Sequence, residues 1–98
     1  LGEALARWYL ADHDLRVVAS NLAIDGGEID VLAIDHGKRV VVEVRTVTRD
    51  GDPIDAVDPS KRRRVSRLAG RVGAGRVDYI GIGITPDAAV FHWVPGRF

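Results

Sequence analysis

Residues 27 to 45, GEIDVLAIDHGKRVVVEVR, constrain this chain more than any other stretch: two apolar runs flank a short polar break, and the acids Glu28, Asp30 and Glu43 interrupt them. Apolar and β-branched residues at this density, bounded by turn formers, specify a β-hairpin. With His36-Gly37 as a two-residue loop, Asp35 faces Lys38, and every opposed pair has residue numbers summing to 73. Asp30 then faces Glu43 and Glu28 faces Arg45, all four on one side because residues two apart share a face. Opposed residues have Cβ atoms about 4.5–5.5 Å apart, so the two carboxylates repel and each raises the other's pKa.

A divalent cation between them reverses the sign of that interaction. Mg²⁺ takes oxygen ligands, one or two carboxylates completed by water and substrate phosphate. Such a cation polarises a phosphate and lowers the pKa of an attacking water, which is what a metal-dependent phosphodiesterase requires. Arg45, beside the acids, is placed to contact a phosphate. The same spacing also suits a Glu28–Arg45 ion pair with Asp30 and Glu43 on a wet sheet face, and a three-residue loop would separate the pair.

Around the hairpin, the spacing predicts a helix over residues 1–12, with Leu1, Leu5, Trp8 and Ala11 or Asp12 as its apolar stripe, and a strand over 15–24 ending in the DGG turn. Residues 48–58, with four Asp plus Gly and Pro, read as a mobile loop. Asp58 as N-cap and Pro59 at the first helical position open a second helix. Its apolar face is Val65, Leu68, Ala69 and Val72, and the glycines of GAG at 73–75 end it. VDYIGIGI and AVFHWV are two further strands. The order α-β-β-β-α-β-β makes the second helix a crossover into a strand parallel to the third, hence an α/β fold with a central mixed sheet flanked by helices, one domain over 1–98.

Net charge is zero, yet the charges are segregated: twelve of the fourteen acids lie in residues 1–58, and seven of the fourteen Lys and Arg lie between Lys61 and Arg76 with no acid among them. SKRRRVSRLAGRVGAGR therefore suits phosphate contacts to DNA or RNA, or else a solvated helix face. The chain has no cysteine, which excludes thiolate metal sites and a cysteine nucleophile and points weakly to the cytoplasm. No apolar run is long enough for a membrane helix and no signal-peptide pattern is present. GAGR lacks the Lys-Ser/Thr of a phosphate loop. His13, His36 and His92 lack a ligand motif and read as structural, and Trp8 and Trp93 as core residues.

The residues Gly2-Glu3, Asn21, GEIDVLAID, VVVEVRT, Lys61 and RVDYIGI, in this order, resemble the YraN-like proteins, small bacterial proteins of the restriction-endonuclease-like, PD-(D/E)xK fold. The arrangement is also similar to archaeal Holliday-junction resolvases. The resemblance implies a restriction-endonuclease-like core and a Mg²⁺- or Mn²⁺-dependent nuclease acting on DNA, including branched DNA, with a homodimer as one arrangement by analogy. It implies Asp30 and Glu43 as metal ligands, Glu3 on the first helix as a further ligand, and Glu28 as a neighbour of the site. Lys61, Arg62, Arg63, Arg64 and Arg67 are the expected nucleic-acid contacts, Lys61 matching the family position. Arg45 stands where the motif usually has lysine; arginine keeps its charge and offers a planar fork, which suits phosphate binding better than water activation. A non-catalytic nucleic-acid-binding module and an interaction protein with a vestigial acidic site are the two alternatives.

Overall fold

The computed structural model describes residues 2–47 and 59–96; within them the side chains of Glu3 and Val47 are outside the description. The chain runs α1 (Gly2–Asp12), β1 (Arg16–Ile24), β2 (Gly27–Asp35), β3 (Lys38–Val47), α2 (Pro59–Arg71), β4 (Arg76–Ile84) and β5 (Ala89–Val94). Both early hairpins close through two left-handed residues: Asp25-Gly26, with φ of 48° and 77°, and His36-Gly37, with φ of 50° and 80°. Paired positive φ values are the turn geometry whose twist matches the strands on either side. Asp35 pairs with Lys38 and Val31 with Val42, so the two-residue loop and its register are as expected.

β3 and β4 are parallel and the other neighbours antiparallel, giving one five-stranded sheet in the order β1-β2-β3-β4-β5. This is the mixed α/β arrangement expected of a restriction-endonuclease-like core. One face packs on α1, through Ala6, Leu10, Val31, Ala33, Val40, Val42, Ile80 and Ile82. The other packs on α2, through Val65, Leu68 and Ala69 against Leu32, Val41 and Val77. β3 is buried on both faces, which is why its sequence is a continuous run of valines rather than an alternation.

Both helices end in the same device. After α2, Gly73 has φ 71°, and the amides of Gly73 and Ala74 donate to the carbonyls of Gly70 and Ala69 at 3.2 and 2.9 Å. After α1 the left-handed position is filled by Asp14, φ 67°, with Asp14 and Leu15 amides donating to Ala11 and Leu10. This double hydrogen bond satisfies carbonyls that the helix leaves open and folds Leu15 back on Leu10. The face of α1 that packs on the sheet differs from the predicted stripe: Ala6 and Leu10 are buried, Leu5 and Tyr9 pack beside them, and Trp8 is 61% exposed rather than in the core. Trp93 is half-buried, as a partial core residue. The 48–58 loop and the Asp58 cap lie outside the described residues, while Pro59 is the first residue of α2 as expected.

One irregularity positions the site. Asn21, inside β1, has φ 53°, and neither it nor Asp30 opposite takes part in the β1–β2 pairing. Strand alternation reverses there: Val31 packs on the α1 side, yet Ile29, two residues away, packs on the α2 side. Asparagine is one of the few residues that adopts this left-handed conformation readily.

Candidate metal centre and basic helix

Beyond the Val31–Val42 pair the β2–β3 ladder stops, and side chains take over from backbone pairing. Asp30 Oδ2 accepts the Val44 amide hydrogen at 2.9 Å, so the carboxylate of β2 is clamped to the backbone of β3 one residue past Glu43. Glu43 pairs with Tyr79 of β4 in the middle of the sheet and is only 4% exposed. Its Oε1 lies 3.8 Å from the Lys61 ammonium nitrogen, which descends from the first turn of α2. Its Oε2 is buried and has no hydrogen-bond partner among the described residues.

Burial, and secondarily the neighbouring Asp30 charge, push the Glu43 carboxyl up to about 7; Lys61, the Asp30 backbone and Arg64 offset only part of this. Removing a carboxylate from water costs free energy unless donors or a cation replace the lost hydration.

A second buried acid shows what full compensation looks like. Asp78, fully buried in β4, accepts four hydrogen bonds: Arg76 Nε and the Gly96 amide to Oδ1, both at 2.8 Å, and Arg76 Nη2 and Trp93 Nε1 to Oδ2, both at 3.0 Å. Arg76 also donates to Asp35 at 2.9 Å and thereby holds that carboxyl below its ordinary pKa, with His36 helping. Every lone pair that Asp78 offers inward is used, which marks it as a structural hub tying β4, β5 and the β2–β3 turn together. Glu43, equally deep in the sheet, has an oxygen left for a ligand. Asp78 carries in the sequence the same signal as Asp30 and Glu43, an acid inside an apolar strand, and is not among the candidate residues read from it.

The expected residues therefore separate. Asp30, Glu43 and Lys61 come together, and Arg64, one turn along α2, is near enough to act on Glu43 electrostatically. Glu28 does not join them: the reversal at Asn21 and Asp30 puts Gly27 and Ile29 against α2, with Leu68 against Gly27, and turns the intervening Glu28 to the opposite face, where it is exposed. The expected Glu28–Arg45 pair is not part of the ladder for the same reason. Arg45 is half-buried on β3, beside Gly81 of β4. Glu3 lies on the first turn of α1, which approaches the same end of β3 through Gly2 and Thr46; the Glu3 side chain is outside the described residues.

Lys61 and Arg62 are half-buried while Arg63, Arg64 and Arg67 are exposed, so the basic residues of α2 extend from the acidic pair outward to solvent. Arg71 pairs with Asp25 at 3.0 Å. His13 stacks on Tyr9, and His36 occupies its turn bonded to Asp35. Among the described residues no three or more His, Cys, Asp or Glu gather into a metal-binding group, and Asp30 and Glu43 are two neighbouring carboxylates. That number suits a hard cation completed by water and phosphate oxygens. Among the described residues no helix is long and apolar enough to cross a membrane.

The sequence profile of the uncharacterised protein family UPF0102 matches residues 2–82. A UPF0102 protein of Mycobacterium tuberculosis is 41% identical over 98 residues, covering 88% of this chain and 77% of the relative. One from a Mycobacterium species, strain JLS, is 43% identical over 100 residues, covering 90% and 74%. Another, from Mycolicibacterium vanbaalenii, is 49% identical over 72 residues, covering 71% and 60%.

Proposed function

The chain belongs to the uncharacterised UPF0102, YraN-like family, and from that premise we propose that it is a divalent-metal-dependent nuclease that hydrolyses phosphodiester bonds in DNA, branched DNA included. The observation that carries this reading is Glu43, a buried carboxylate with one oxygen unpartnered among the described residues, beside a second carboxylate clamped in place. Asp30 and Glu43 would hold Mg²⁺ or Mn²⁺, with Glu3 as a further ligand from α1. The cation supplies Lewis-acid polarisation of the phosphate and a more acidic water. The chain's own residues do the rest. The Val44 amide fixes the orientation of Asp30, so that carboxylate is positioned before substrate arrives. Arg45 offers a planar fork to a non-bridging phosphate oxygen and stabilises charge that builds there. Arg62, Arg63, Arg64 and Arg67 engage backbone phosphates on either side of the scissile bond, which gives sequence-independent affinity.

Purified protein incubated with linear, single-stranded and four-way-junction DNA in Mg²⁺ or Mn²⁺, beside a Glu43→Ala variant, tests this directly. Cleavage that requires the cation and is lost in the variant is the expected result. Arg45 favours a second reading, a nucleic-acid-binding module without catalysis, because its permanent charge serves phosphate binding better than water activation. DNA that is bound but uncut, with cutting gained on Arg45→Lys, selects that reading.

A further inference from the structure

The Lys61–Glu43 contact has a consequence that rests on the metal-dependent reading and extends it. The ammonium stands 3.8 Å from Glu43 Oε1, on the carboxylate pair that a divalent cation would occupy. Two positive charges compete for one carboxylate, and because Glu43 is only 4% exposed their mutual repulsion there is weakly screened. Lys61 is carried on the first turn of α2 by a long, flexible stem and is half-buried, with the exposed Arg63 and Arg64 following it on the helix. With a phosphate backbone lying against this basic helix, an ammonium displaced from Glu43 has an anionic partner within reach of its flexible stem.

We infer that Lys61 is an exchange residue: it holds Glu43 when no cation is bound and passes to a nucleic-acid phosphate when the cation takes Glu43. Cation and nucleic acid then help one another bind through one side chain. By linkage, the factor by which DNA raises cation affinity equals the factor by which the cation raises DNA affinity. Direct contact between cation and phosphate gives coupling of its own, so the share due to Lys61 is the part that vanishes when Lys61 is replaced.

The test measures Mn²⁺ affinity by calorimetry, with and without a short DNA duplex, for the wild type, Lys61→Met and Arg67→Ala. Lys61→Met keeps the stem and removes the charge. It is expected to bind Mn²⁺ about three- to tenfold tighter than the wild type without DNA, and to show a coupling factor reduced by a similar ratio. Arg67→Ala, on the exposed side of α2, is expected to weaken DNA binding equally with and without Mn²⁺, leaving the coupling factor unchanged. Mn²⁺ affinity that is unchanged or weaker in Lys61→Met overturns the exchange, and if the wild type still binds Mn²⁺ and cuts DNA the nuclease reading stands without it. Mn²⁺ binding to neither the wild type nor Lys61→Met overturns both.

Discussion

Two buried acids on neighbouring registers of the sheet behave oppositely because their surroundings differ in donors, not in depth. Glu43 carries a raised pKa of about 7 in the folded chain against 4.5 for the ordinary carboxyl. The folded state holds this proton over the interval in which the unfolded state has already released it, so stability is full below the unfolded pKa and falls as pH rises toward 7. With divalent cations chelated, the wild type is expected to lose about 3 kcal/mol relative to Glu43→Gln between pH 4 and pH 8. Urea denaturation of both proteins across that range reads the difference directly; parallel curves would show that Glu43 is not the burdened group. Adding Mn²⁺ at pH 8 should raise the midpoint of the wild type and leave Glu43→Gln unmoved. Asp78 gives the contrasting expectation. Asp78→Ala strands the donors of Arg76, Trp93 and Gly96 and should cost about 2–4 kcal/mol, with Arg76 recovering part of its hydration because it is partly exposed.

At the scale of elements, local chemistry and function meet in β1. Asn21 adopts a left-handed backbone opposite Asp30, where the alternation of β2 reverses and the Asp30 carboxylate accepts from the Val44 amide. A β-branched residue at Asn21 resists that conformation, so Asn21→Val should destabilise the fold by about 1–2 kcal/mol and weaken Mn²⁺ binding by disturbing Asp30. Asn21→Gly, which keeps the conformation available, serves as the control and should preserve Mn²⁺ affinity within about twofold. The cap of α1 predicts the other sign. Asp14→Gly relieves a non-glycine residue at φ 67° and should raise the urea midpoint, with a gain of about 0.5–1 kcal/mol. The turns, the Pro59 start and the glycine end of α2 were legible in sequence because each depends on a few adjacent residues. The stripe of α1 differs from its apolar period because the sheet surface it packs on takes Ala6 and Leu10 and leaves Trp8 outside, a choice made beyond the helix.

For the whole molecule, the zero net charge conceals a basic helix laid across a sheet that carries the buried acids. Nucleic-acid binding through that helix, as proposed, would be electrostatic and so salt-dependent. Neutralising Arg63 and Arg67 together should lower the slope of log affinity against log salt by about 1.8 on duplex DNA, in the absence of divalent cations. An unchanged slope would place the nucleic-acid contact elsewhere.

The amino-acid order by itself determined the strand and helix order, the two-residue hairpin and its register, because hydrophobic period and turn conformation are local properties. It also brought Asp30 to the level of Glu43, although the ladder ends at Val31–Val42 and the expected Asp30–Glu43 pair is replaced by the bond from the Val44 amide to the Asp30 carboxylate. Tertiary structure alone decided which acids remained together and which were satisfied. The reversal at Asn21 and Asp30 sent Glu28 to the other face, the crossover helix delivered Lys61 onto Glu43, and four donors from β4, β5 and the segment after it silenced Asp78. Each of those outcomes depends on groups from separate elements converging, and convergence of that kind leaves no period or spacing in the sequence to be read.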